Sequence, residues 1–309
     1  MGTLPTGLSP SDLPLADLPL VRGGLALDTA ARTEPDLFDR LWDEPGTRVL
    51  VLHDGRAPVR GGALRWIDPA DTPATLVRAY LGRIAGAARV AVNVGEGSFA
   101  EFSARPAQQG TAWSRAREVG AGLPPADSTA LVTATALFNW HATHGFCPHC
   151  GMPTAVGQAG WVRRCPSCGH TVFPRIEPAV IMTVEDADGR LLLASHGTGP
   201  DARFSVLAGF VEPGESLRQA VVREVAEEVG LRVRVSAPLG SQPWPYPLSL
   251  MVAFRAETLD DPGRARPDGD EIAQLRWVTR DELPAAGLRL PPAASIAAAM
   301  IAAWRAGAR

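Results

Sequence analysis

The sequence contains no lysine: all 30 of its basic residues are arginine, and 33 acidic residues bring the net charge to −3. Without lysine, the chain cannot form a Schiff base or complete a Walker-type phosphate loop, because both need a lysine amine. The lack of a basic excess removes the main attraction to nucleic-acid backbones, so we expect no DNA binding. The remaining composition is that of an ordinary globular protein.

Long apolar runs are also missing from the sequence. The longest, Ser295–Trp304, has about half the length that spans a bilayer. The first twenty residues contain four prolines and no basic residue, unlike the start of a signal peptide. We therefore expect a cytoplasmic protein that has no membrane partner.

Cysteine is scarce, and its 4 copies lie close together in the pattern C-x2-C-x14-C-x2-C. Two such pairs can grip a metal ion from two sides, and four thiolates complete a closed tetrahedral shell. The pattern predicts a zinc ribbon with one structural zinc ion, whereas a redox pair, an iron site or an empty site are the alternatives. The predicted zinc ligands are Cys147, Cys150, Cys165 and Cys168.

Composition divides the chain into segments. The first segment is rich in Ala, Arg, Pro and Gly, and its apolar runs at Val49–Leu52 and Val90–Val94 predict a small mixed α/β domain. Gly120–Ser128 is typical of a linker, and Ala130–His144 has the pattern of a helix that leads into the first cysteine. The predicted N-terminal domain, linker with helix, zinc ribbon and C-terminal domain cover residues 1–125, 126–144, 145–173 and 174–309.

Strand and helix patterns alternate in the last segment. Leu217–Val229 is its strongest helix, because Ser216 and Gln219 fit a capping box and Gly230 can end the helix. An alanine-rich second helix is predicted over Pro292–Arg305. The predicted strands are Ala179–Val184, Arg190–Ala194, Arg232–Val235, Leu248–Phe254 and Leu275–Val278, of which the first two form a hairpin. This alternation predicts an α/β sandwich.

Three carboxylates stand out on the strongest helix. Glu224, Glu227 and Glu228 lie at positions i, i+3 and i+4, so we expect them to share one helix face. Like charges at this spacing repel one another. Divalent cations that prefer oxygen ligands, Mg²⁺ or Mn²⁺, explain such a cluster, and a solvated acidic helix face is the alternative.

The residues around these acids fit a known signature. From Gly209 to Leu231 the sequence matches G-x5-E-x7-R-E-U-x-E-E-x-G-U, in which U is apolar. The segment resembles the Nudix hydrolases. This resemblance implies an α/β/α sandwich and metal-dependent hydrolysis of a nucleoside diphosphate that is linked to another group.

The same resemblance assigns roles to individual side chains. Arg223 is implied to orient Glu215 through a bidentate pair, and Glu227 lies beside the principal metal ligands. Glu227 and Glu271 are the two candidates for the general base, between which the sequence cannot choose. The implied ligands of the catalytic metal are Glu224, Glu228, the backbone carbonyl of Ala208, and Glu271, whose alternative role is that of an exposed loop acid.

A proline-rich string, Ser241-Gln-Pro-Trp-Pro-Tyr-Pro-Leu-Ser249, follows the signature. Alternating prolines stiffen the chain and present Trp244 and Tyr246 as flat surfaces, although a surface loop without function has the same pattern. The string resembles the SQPWPFPxS element of the NADH pyrophosphatase branch of the Nudix family, with Tyr246 in place of the usual Phe. Members of that branch also place a four-cysteine zinc ribbon before the Nudix domain.

The branch resemblance implies a set of substrate contacts. Phe210 and Phe173 are candidates for stacking on the nicotinamide ring, and position 173 often has Tyr in the family. Gly160 stands where an acidic pocket residue can occur. The implied substrate-binding residues are Gln242, Pro243, Trp244, Pro245, Tyr246, Pro247, Leu248, Ser249, Phe210, Phe173 and Ala297.

The implied activity is hydrolysis of NADH and NAD⁺ to nicotinamide mononucleotide and AMP, together with removal of NAD caps from RNA 5′ ends. A Nudix hydrolase for ADP-ribose or another dinucleotide is one alternative, and a non-catalytic regulator that senses a nucleotide is the other. Members of the branch pair as homodimers, so we expect a homodimer here.

Overall fold

A computed structural model describes residues 18–20, 23–199 and 201–307 of the chain. Most of the first twenty residues, on which the expectation of no signal peptide rests, lie outside the described residues. Among the residues that are described, none of the helices combines the length and apolar content needed to cross a membrane.

The chain forms two compact units. The C-terminal unit consists of Met1–Pro19, Glu177–Pro243 and Ser249–Arg309. The N-terminal unit consists of Leu20–Ile176 and the short segment Trp244–Leu248. The division into four segments remains a prediction.

The N-terminal unit contains four α-helices and nine strands within the described residues. The helices are α1 (Leu37–Asp43), α2 (Glu96–Ser103), α3 (Ala116–Val119) and α4 (Pro125–Thr143). The strands are β1 (Arg48–Leu52), β2 (Arg56–Arg60), β3 (Ala63–Leu64), β4 (Val77–Ile84), β5 (Ala87–Asn93), β6 (Ala112–Arg115), β7 (Ala155–Gly157), β8 (Val162–Arg164) and β9 (Thr171–Val172). They form three small sheets with the orders β1-β5-β4, β3-β2-β6 and β7-β8-β9.

The two apolar runs of the first segment form neighbouring strands. Strands β1 and β5 pair in parallel, with Val49 opposite Val90 and Val51 opposite Val92. All four valines are fully buried in one core, and β4 joins β5 in the antiparallel direction. The prediction of a small mixed sheet is therefore confirmed.

Helix α4 begins earlier than the sequence predicted. The expected start at Ala130 is wrong, because Pro125 already occupies the first turn. Proline is favourable there, since its fixed φ suits a helix and its missing N–H would have no partner within the helix. The predicted linker Gly120–Ser128 is therefore partly helical.

The C-terminal unit is built on one six-stranded mixed sheet. Its strands are β10 (Glu177–Glu185), β11 (Leu191–Ser195), β12 (Leu207–Phe210), β13 (Val233–Trp244), β14 (Ser249–Thr258) and β15 (Gln274–Val278), and its helices are α5 (Leu217–Val229) and α6 (Ile296–Arg305). The sheet order is β13-β14-β10-β11-β15, and β12 also pairs with β10. The final residue of β13, Trp244, belongs to the other unit.

Alternate residues of β10 face two different cores. Ile181 packs in a cluster with Met300 and Trp304 of α6, whereas Val180 and Met182 pack in a cluster with the valines of α5. Successive side chains of a strand point to opposite faces, so each helix covers one face of the sheet. The predicted α/β/α sandwich is confirmed.

Several boundaries in this unit differ from the predictions. Helix α6 starts at Ile296 rather than Pro292, because the side chain of Ser295 caps it by accepting a hydrogen bond from the Ala298 N–H at 3.2 Å. Strands β13 and β14 extend well beyond the predicted ends, since pairing with neighbouring strands continues through sequence that lacks a clear apolar pattern. Helix α5 has the predicted bounds.

Candidate active site and metal sites

Helix α5 is fixed at both ends by its own sequence. The Ser216 hydroxyl accepts a hydrogen bond from the Gln219 N–H, and the Gln219 side chain accepts one from the Ser216 N–H, so the predicted capping box is present. Gly230 ends the helix with a φ of 70°, in the left-handed region that glycine adopts without strain. These two ends set which residues of α5 face the core.

The three acids of α5 lie in different surroundings. Glu224 and Glu228 are buried, with exposed fractions of 9% and 3%. The side chain of Glu227 is 61% exposed. Glu224 and Glu228 are therefore the buried members of the set, and Glu227 lies at its solvent-exposed side.

Arg223 connects the acids of the signature. Its Nε and Nη2 donate to the two carboxylate oxygens of Glu215 at 2.8 and 2.9 Å, which is a bidentate pair. Nη1 donates to Glu224 and Glu227 at 2.9 Å each, and Nη2 also donates to the Phe210 carbonyl at 2.8 Å. A guanidinium has five N–H donors, and here all five are used. The hydrogen bonds from Arg223 lower the pKa of Glu215. The hydrogen bonds to Glu215, Glu227 and Glu224 raise the pKa of Arg223.

Glu228 has a buried carboxylate oxygen, Oε2, with no hydrogen-bond partner among the described residues. Burial, together with the negative charges of Glu224, Glu271 and Asp268, raises the pKa of Glu228 to about 8. Burial also raises the pKa of Glu224. An unpartnered buried carboxylate costs folding free energy unless a cation compensates it. The donor set therefore fits a divalent cation with oxygen ligands.

Gly209 makes room for one of these carboxylates. A Cβ atom at Gly209 would lie 1.9 Å from the carboxyl carbon of Glu224, so no other residue fits without displacing that side chain. Strand β12 holds this glycine in place, because Gly209 pairs with Val180 and Ala208 pairs with Ile181 of β10. A steric requirement thus explains why the first position of the signature is glycine.

Glu271 lies in an exposed loop that Asp268 organises. The Asp268 carboxylate accepts hydrogen bonds from the backbone N–H groups of Glu271 and Ile272 at 3.4 and 2.8 Å. The Asp268 N–H donates to the Glu228 carbonyl at 3.1 Å, and this bond ties the loop to α5. The ring of His196 also hydrogen-bonds to the Glu271 carbonyl at 2.8 Å. No local sequence pattern around Asp268 signals this role.

Gln242 is fully buried in the C-terminal unit. Its amide nitrogen donates to the carbonyls of Pro19 and Ala294, the latter at 3.0 Å, and its oxygen accepts from the Ile296 N–H at 2.8 Å. Ala297, which follows Ile296 in the sequence, is another predicted substrate contact and is buried in the core around α6. The Gln242 amide therefore fixes the start of α6.

The other predicted substrate contacts are distributed over both units. In the C-terminal unit, Phe210 is 54% exposed at the end of β12, Pro243 is half-buried in β13, and Ser249 is buried at the start of β14. In the N-terminal unit, Phe173 follows β9 and is 62% exposed, and Leu248 is half-buried. The two phenylalanines thus present open ring surfaces.

The rings of the proline-rich string lie together in the N-terminal unit. Trp244 and Tyr246 are in edge-to-face contact, with ring centroids 5.1 Å apart. Pro245 between them is buried, and the bond from Tyr246 to Pro247 is cis. The sequence predicted that these rings form a presented surface, and the structure places them in mutual contact.

The four cysteines converge. All four are free thiols, and their sulfur atoms lie within 4.8 Å of one another. The Sγ atoms of Cys147 and Cys168 are 3.7 Å apart, and Sγ of Cys150 lies 3.5 Å from Sγ of Cys165 and 3.4 Å from Sγ of Cys168. Four sulfurs at about 2.3 Å from a tetrahedral zinc ion are separated by about 3.8 Å, so the arrangement fits zinc. Among the described residues, this is the one His, Cys, Asp or Glu group that converges so closely.

Two similar turns present the cysteines. The Gly151 N–H donates to the Cys147 carbonyl and the Gly169 N–H donates to the Cys165 carbonyl, each at 2.9 Å. The φ angles of the two glycines are 74° and 75°, which a residue with a side chain rarely adopts. The glycine after each cysteine pair is therefore part of the metal-binding turn.

Gly160 cannot be replaced by an acidic residue in this structure. A Cβ atom there would lie 2.6 Å from the Arg78 carbonyl oxygen and 2.7 Å from Cα of Ala79, and its φ is 93°. The polar pocket contact that an acidic residue could make at position 160 is therefore absent from this protein.

Comparisons with known proteins cover almost the whole chain. The NUDIX domain matches residues 175–303, the NADH pyrophosphatase zinc ribbon domain matches residues 142–173, and the NADH pyrophosphatase-like rudimentary NUDIX domain matches residues 19–140. The NAD-capped RNA hydrolase NudC of Mycobacterium bovis is 38% identical over 323 residues, covering 97% of this chain and 99% of that protein. The chain belongs to the NADH pyrophosphatase branch of the Nudix family.

Further Nudix relatives agree with this assignment. The NudC protein of Mycobacterium tuberculosis is also 38% identical, with the same coverage of 97% and 99%. The NudC protein of Deinococcus radiodurans is 44% identical over 163 residues, which cover 52% of this chain and 56% of that protein. The branch identified from the sequence motifs is thus confirmed, and the zinc ribbon is a recognised part of this Nudix protein.

Proposed function

We propose that this Nudix protein hydrolyses the pyrophosphate bond of NADH and NAD⁺ to AMP and nicotinamide mononucleotide, and that it removes NAD caps from RNA 5′ ends. The relatives that match along their full length are named for the second activity. Within the chain, the proposal rests on the unpartnered buried oxygen of Glu228 beside Glu224. A buried carboxylate pair of this kind lowers the stability of the fold. A hydrolase uses the pair for catalysis, whereas a nucleotide sensor gains nothing from it, so the intact pair favours a hydrolase.

The proposed catalytic cation is Mg²⁺ or Mn²⁺. Glu224, Glu228, Glu271 and the Ala208 carbonyl would hold it, since all are oxygen donors and Glu228 lacks another partner. When bound, such a cation supplies charge neutralisation of the diphosphate and makes a nearby water more acidic.

The protein side chains have separable tasks in this proposal. Arg223 holds Glu215 and the Glu224 carboxylate in fixed orientations, so that the oxygens of Glu224 face the site at no further ordering cost. For the general base we favour Glu271 over Glu227. The Glu227 carboxylate is engaged by Arg223, whereas Glu271 has no ion-pair partner among the described residues.

The proposed substrate contacts differ in kind. Phe210, Phe173, Trp244 and Tyr246 have aromatic faces that suit stacking on nicotinamide or adenine. Gln242 makes three hydrogen bonds within the chain, so we propose that it shapes the pocket through Ile296 and Ala297 rather than by its own amide.

The remaining proposals concern the ribbon metal, the location and the assembly. We propose zinc in the ribbon and a cytoplasmic location, where reducing conditions keep four thiols available as ligands. We also propose a homodimer. The exposed apolar side chains Phe146 and Ile176 of the N-terminal unit support it, since exposed apolar side chains are common at interfaces. Light scattering of the purified protein tests the dimer.

Product analysis tests the activity. The protein is incubated with NADH, NAD⁺, ADP-ribose or NAD-capped RNA in Mg²⁺ or Mn²⁺, and the products are separated by chromatography. We expect AMP and reduced nicotinamide mononucleotide from NADH, and a 5′-monophosphate end on the RNA. Cleavage of ADP-ribose alone would reassign the substrate, and intact dinucleotides in all samples would refute the hydrolase.

A further inference from the structure

The segment Trp244–Leu248 has few means of its own to hold a fixed shape. Pro245 and Pro247 lack backbone N–H groups, so they cannot join a strand ladder. The Tyr246 N–H donates to the nearby Trp244 carbonyl at 2.7 Å, which is a bond within the segment. The carbonyls of both prolines therefore need donors from elsewhere in the chain.

Asn139 of helix α4 supplies those donors. Its side-chain nitrogen donates to the Pro245 carbonyl at 2.9 Å and to the Pro247 carbonyl at 3.2 Å. One amide NH₂ group has two N–H bonds, and here both serve this segment. Asparagine is a weak helix former, so its place inside a 19-residue helix is not explained by helix stability.

Helix α4 gives Asn139 a rigid base. The neighbouring Trp140 is fully buried, and His141 is buried as well. The His141 ring nitrogens lie 2.9 Å from the Gly160 carbonyl and 3.1 Å from Nη1 of Arg163, so His141 joins the end of α4 to the zinc ribbon. A hydrogen-bond donor on such a helix keeps its position more precisely than one on a free loop.

A second contact holds one of the two rings. The Tyr246 hydroxyl accepts a hydrogen bond from the Arg117 N–H at 2.9 Å, and the Arg117 guanidinium lies 5.5 Å from the centre of the ring. Trp244 packs edge-to-face on the same ring. The backbone tether at Asn139 and the hydroxyl tether at Arg117 together orient both aromatic side chains.

We propose that Asn139 is a positioning residue for dinucleotide binding, which holds the backbone of Trp244–Pro247 so that Trp244 and Tyr246 are ordered before the substrate arrives. This inference rests on the proposed function. Preorganised groups avoid an ordering cost on binding, so loss of the tether weakens binding more than it slows the chemical step. Asn139 lies outside the Nudix signature and outside the proline-rich string.

Two variants of similar size to asparagine remove the tether. Asn139→Leu deletes the donors, and Asn139→Asp replaces them with an oxygen that repels the two carbonyls. Thr133→Val is the matched control, because the Thr133 hydroxyl donates to the Thr129 carbonyl within the same helix at 2.9 Å and does not touch the string. We expect KM for NADH to rise about tenfold in both Asn139 variants, with kcat within about threefold of the wild type and no change in the control.

Binding without turnover separates positioning from general damage. Each variant is combined with Glu228→Gln, and NADH binding is followed by its fluorescence. We expect the dissociation constant to rise about tenfold, equivalent to about 1.4 kcal/mol, while the melting temperature stays near that of the control. If Asn139→Leu does not fold, Asn139→Asp gives the answer alone.

The outcomes distinguish this inference from the activity it rests on. Wild-type protein that leaves NADH intact refutes the proposed function. Wild-type protein that cleaves NADH, together with folded Asn139 variants that bind it as tightly as the control does, overturns the role of Asn139. A fall in kcat at unchanged KM would also overturn it.

Discussion

Arg223 shows how one side chain organises the candidate site. Its five N–H donors reach three carboxylates and one backbone carbonyl. A lysine offers three donors from a single atom and cannot reproduce this arrangement of hydrogen bonds. The site therefore depends on a planar guanidinium at this position rather than on a positive charge alone.

At the residue scale, Glu228→Gln tests the buried carboxylate. We expect kcat to fall at least about a hundredfold, because the variant loses a charged oxygen ligand. We also expect the variant to be more stable than the wild type by about 2 kcal/mol at pH 7 without divalent cations. The folded-state pKa of Glu228 is raised from 4.5 to about 8, so burial of this group costs stability increasingly as the pH rises through that range.

Urea unfolding and steady-state kinetics measure the two effects of Glu228→Gln. Glu257→Gln is the matched control, since Glu257 pairs with Arg234 on an exposed surface of the same unit. Unchanged turnover in Glu228→Gln would remove Glu228 from the catalytic proposal.

Gly209→Ala tests the space beside Glu224. The added methyl group would meet the Glu224 carboxyl at 1.9 Å and must displace it, so we expect activity to fall at least about tenfold. Gly197→Ala is the control, because nothing lies within 4 Å of a Cβ there. Kinetics and a crystal structure of the variant check this result, and an active Gly209→Ala with Glu224 in place would contradict the steric account.

At the element scale, the buried His141 of α4 contacts Gly160 and Arg163 of the zinc ribbon. Burial lowers the pKa of His141 from 6.5 to about 4, and the positive charge of Arg163 acts in the same direction. The folded protein thus keeps His141 neutral at pH values where the unfolded chain protonates it. Its contribution to the free energy of unfolding is fully present above pH 6.5 and is lost as the pH falls towards 4.

We therefore expect His141→Gln to flatten the pH dependence of stability between pH 6.5 and 4. Over this pH range, the free energy of unfolding of the wild type should fall by at most about 3 kcal/mol more than that of the variant. Urea unfolding at several pH values measures the difference, and His149→Gln, at an exposed position, is the control. Parallel curves for the wild type and His141→Gln would refute this role.

Local signals explain which elements the sequence could predict. Ser216, Gln219 and Gly230 lie within the helix they delimit, so α5 was predicted with its true bounds. Strand and helix periodicity predicted an α/β sandwich, and the Nudix resemblance implied its α/β/α layers. The four cysteine ligands followed from their spacing.

Other features depend on contacts between distant parts of the chain. Asn139 lies 106 residues from Pro245, and neither residue type signals the other. The exposure of Glu227 and the use of Asp268 as a loop organiser also depend on tertiary packing. These features therefore could not be read from local pattern.

At the scale of the whole molecule, we expect the zinc ribbon to stabilise the N-terminal unit. We expect Cys165→Ser to abolish zinc binding and to lower the melting temperature, because three thiolates bind a structural zinc ion far more weakly than four. Metal analysis and thermal unfolding measure both effects. Ser167→Ala, in the same turn, is the control. A zinc-free Cys165→Ser protein with the wild-type melting temperature would contradict the structural role.

The hydrogen bond from Gln242 to Pro19 affects how the protein can be divided. Leu18 packs in the core beside α6, although it precedes the remainder of its unit by more than 150 residues of sequence. A fragment cut at residue 175, where the Nudix match begins, would lose both Leu18 and Pro19. It would leave a gap in its own interior and a buried amide donor without an acceptor, so truncation should yield an insoluble product rather than a minimal enzyme.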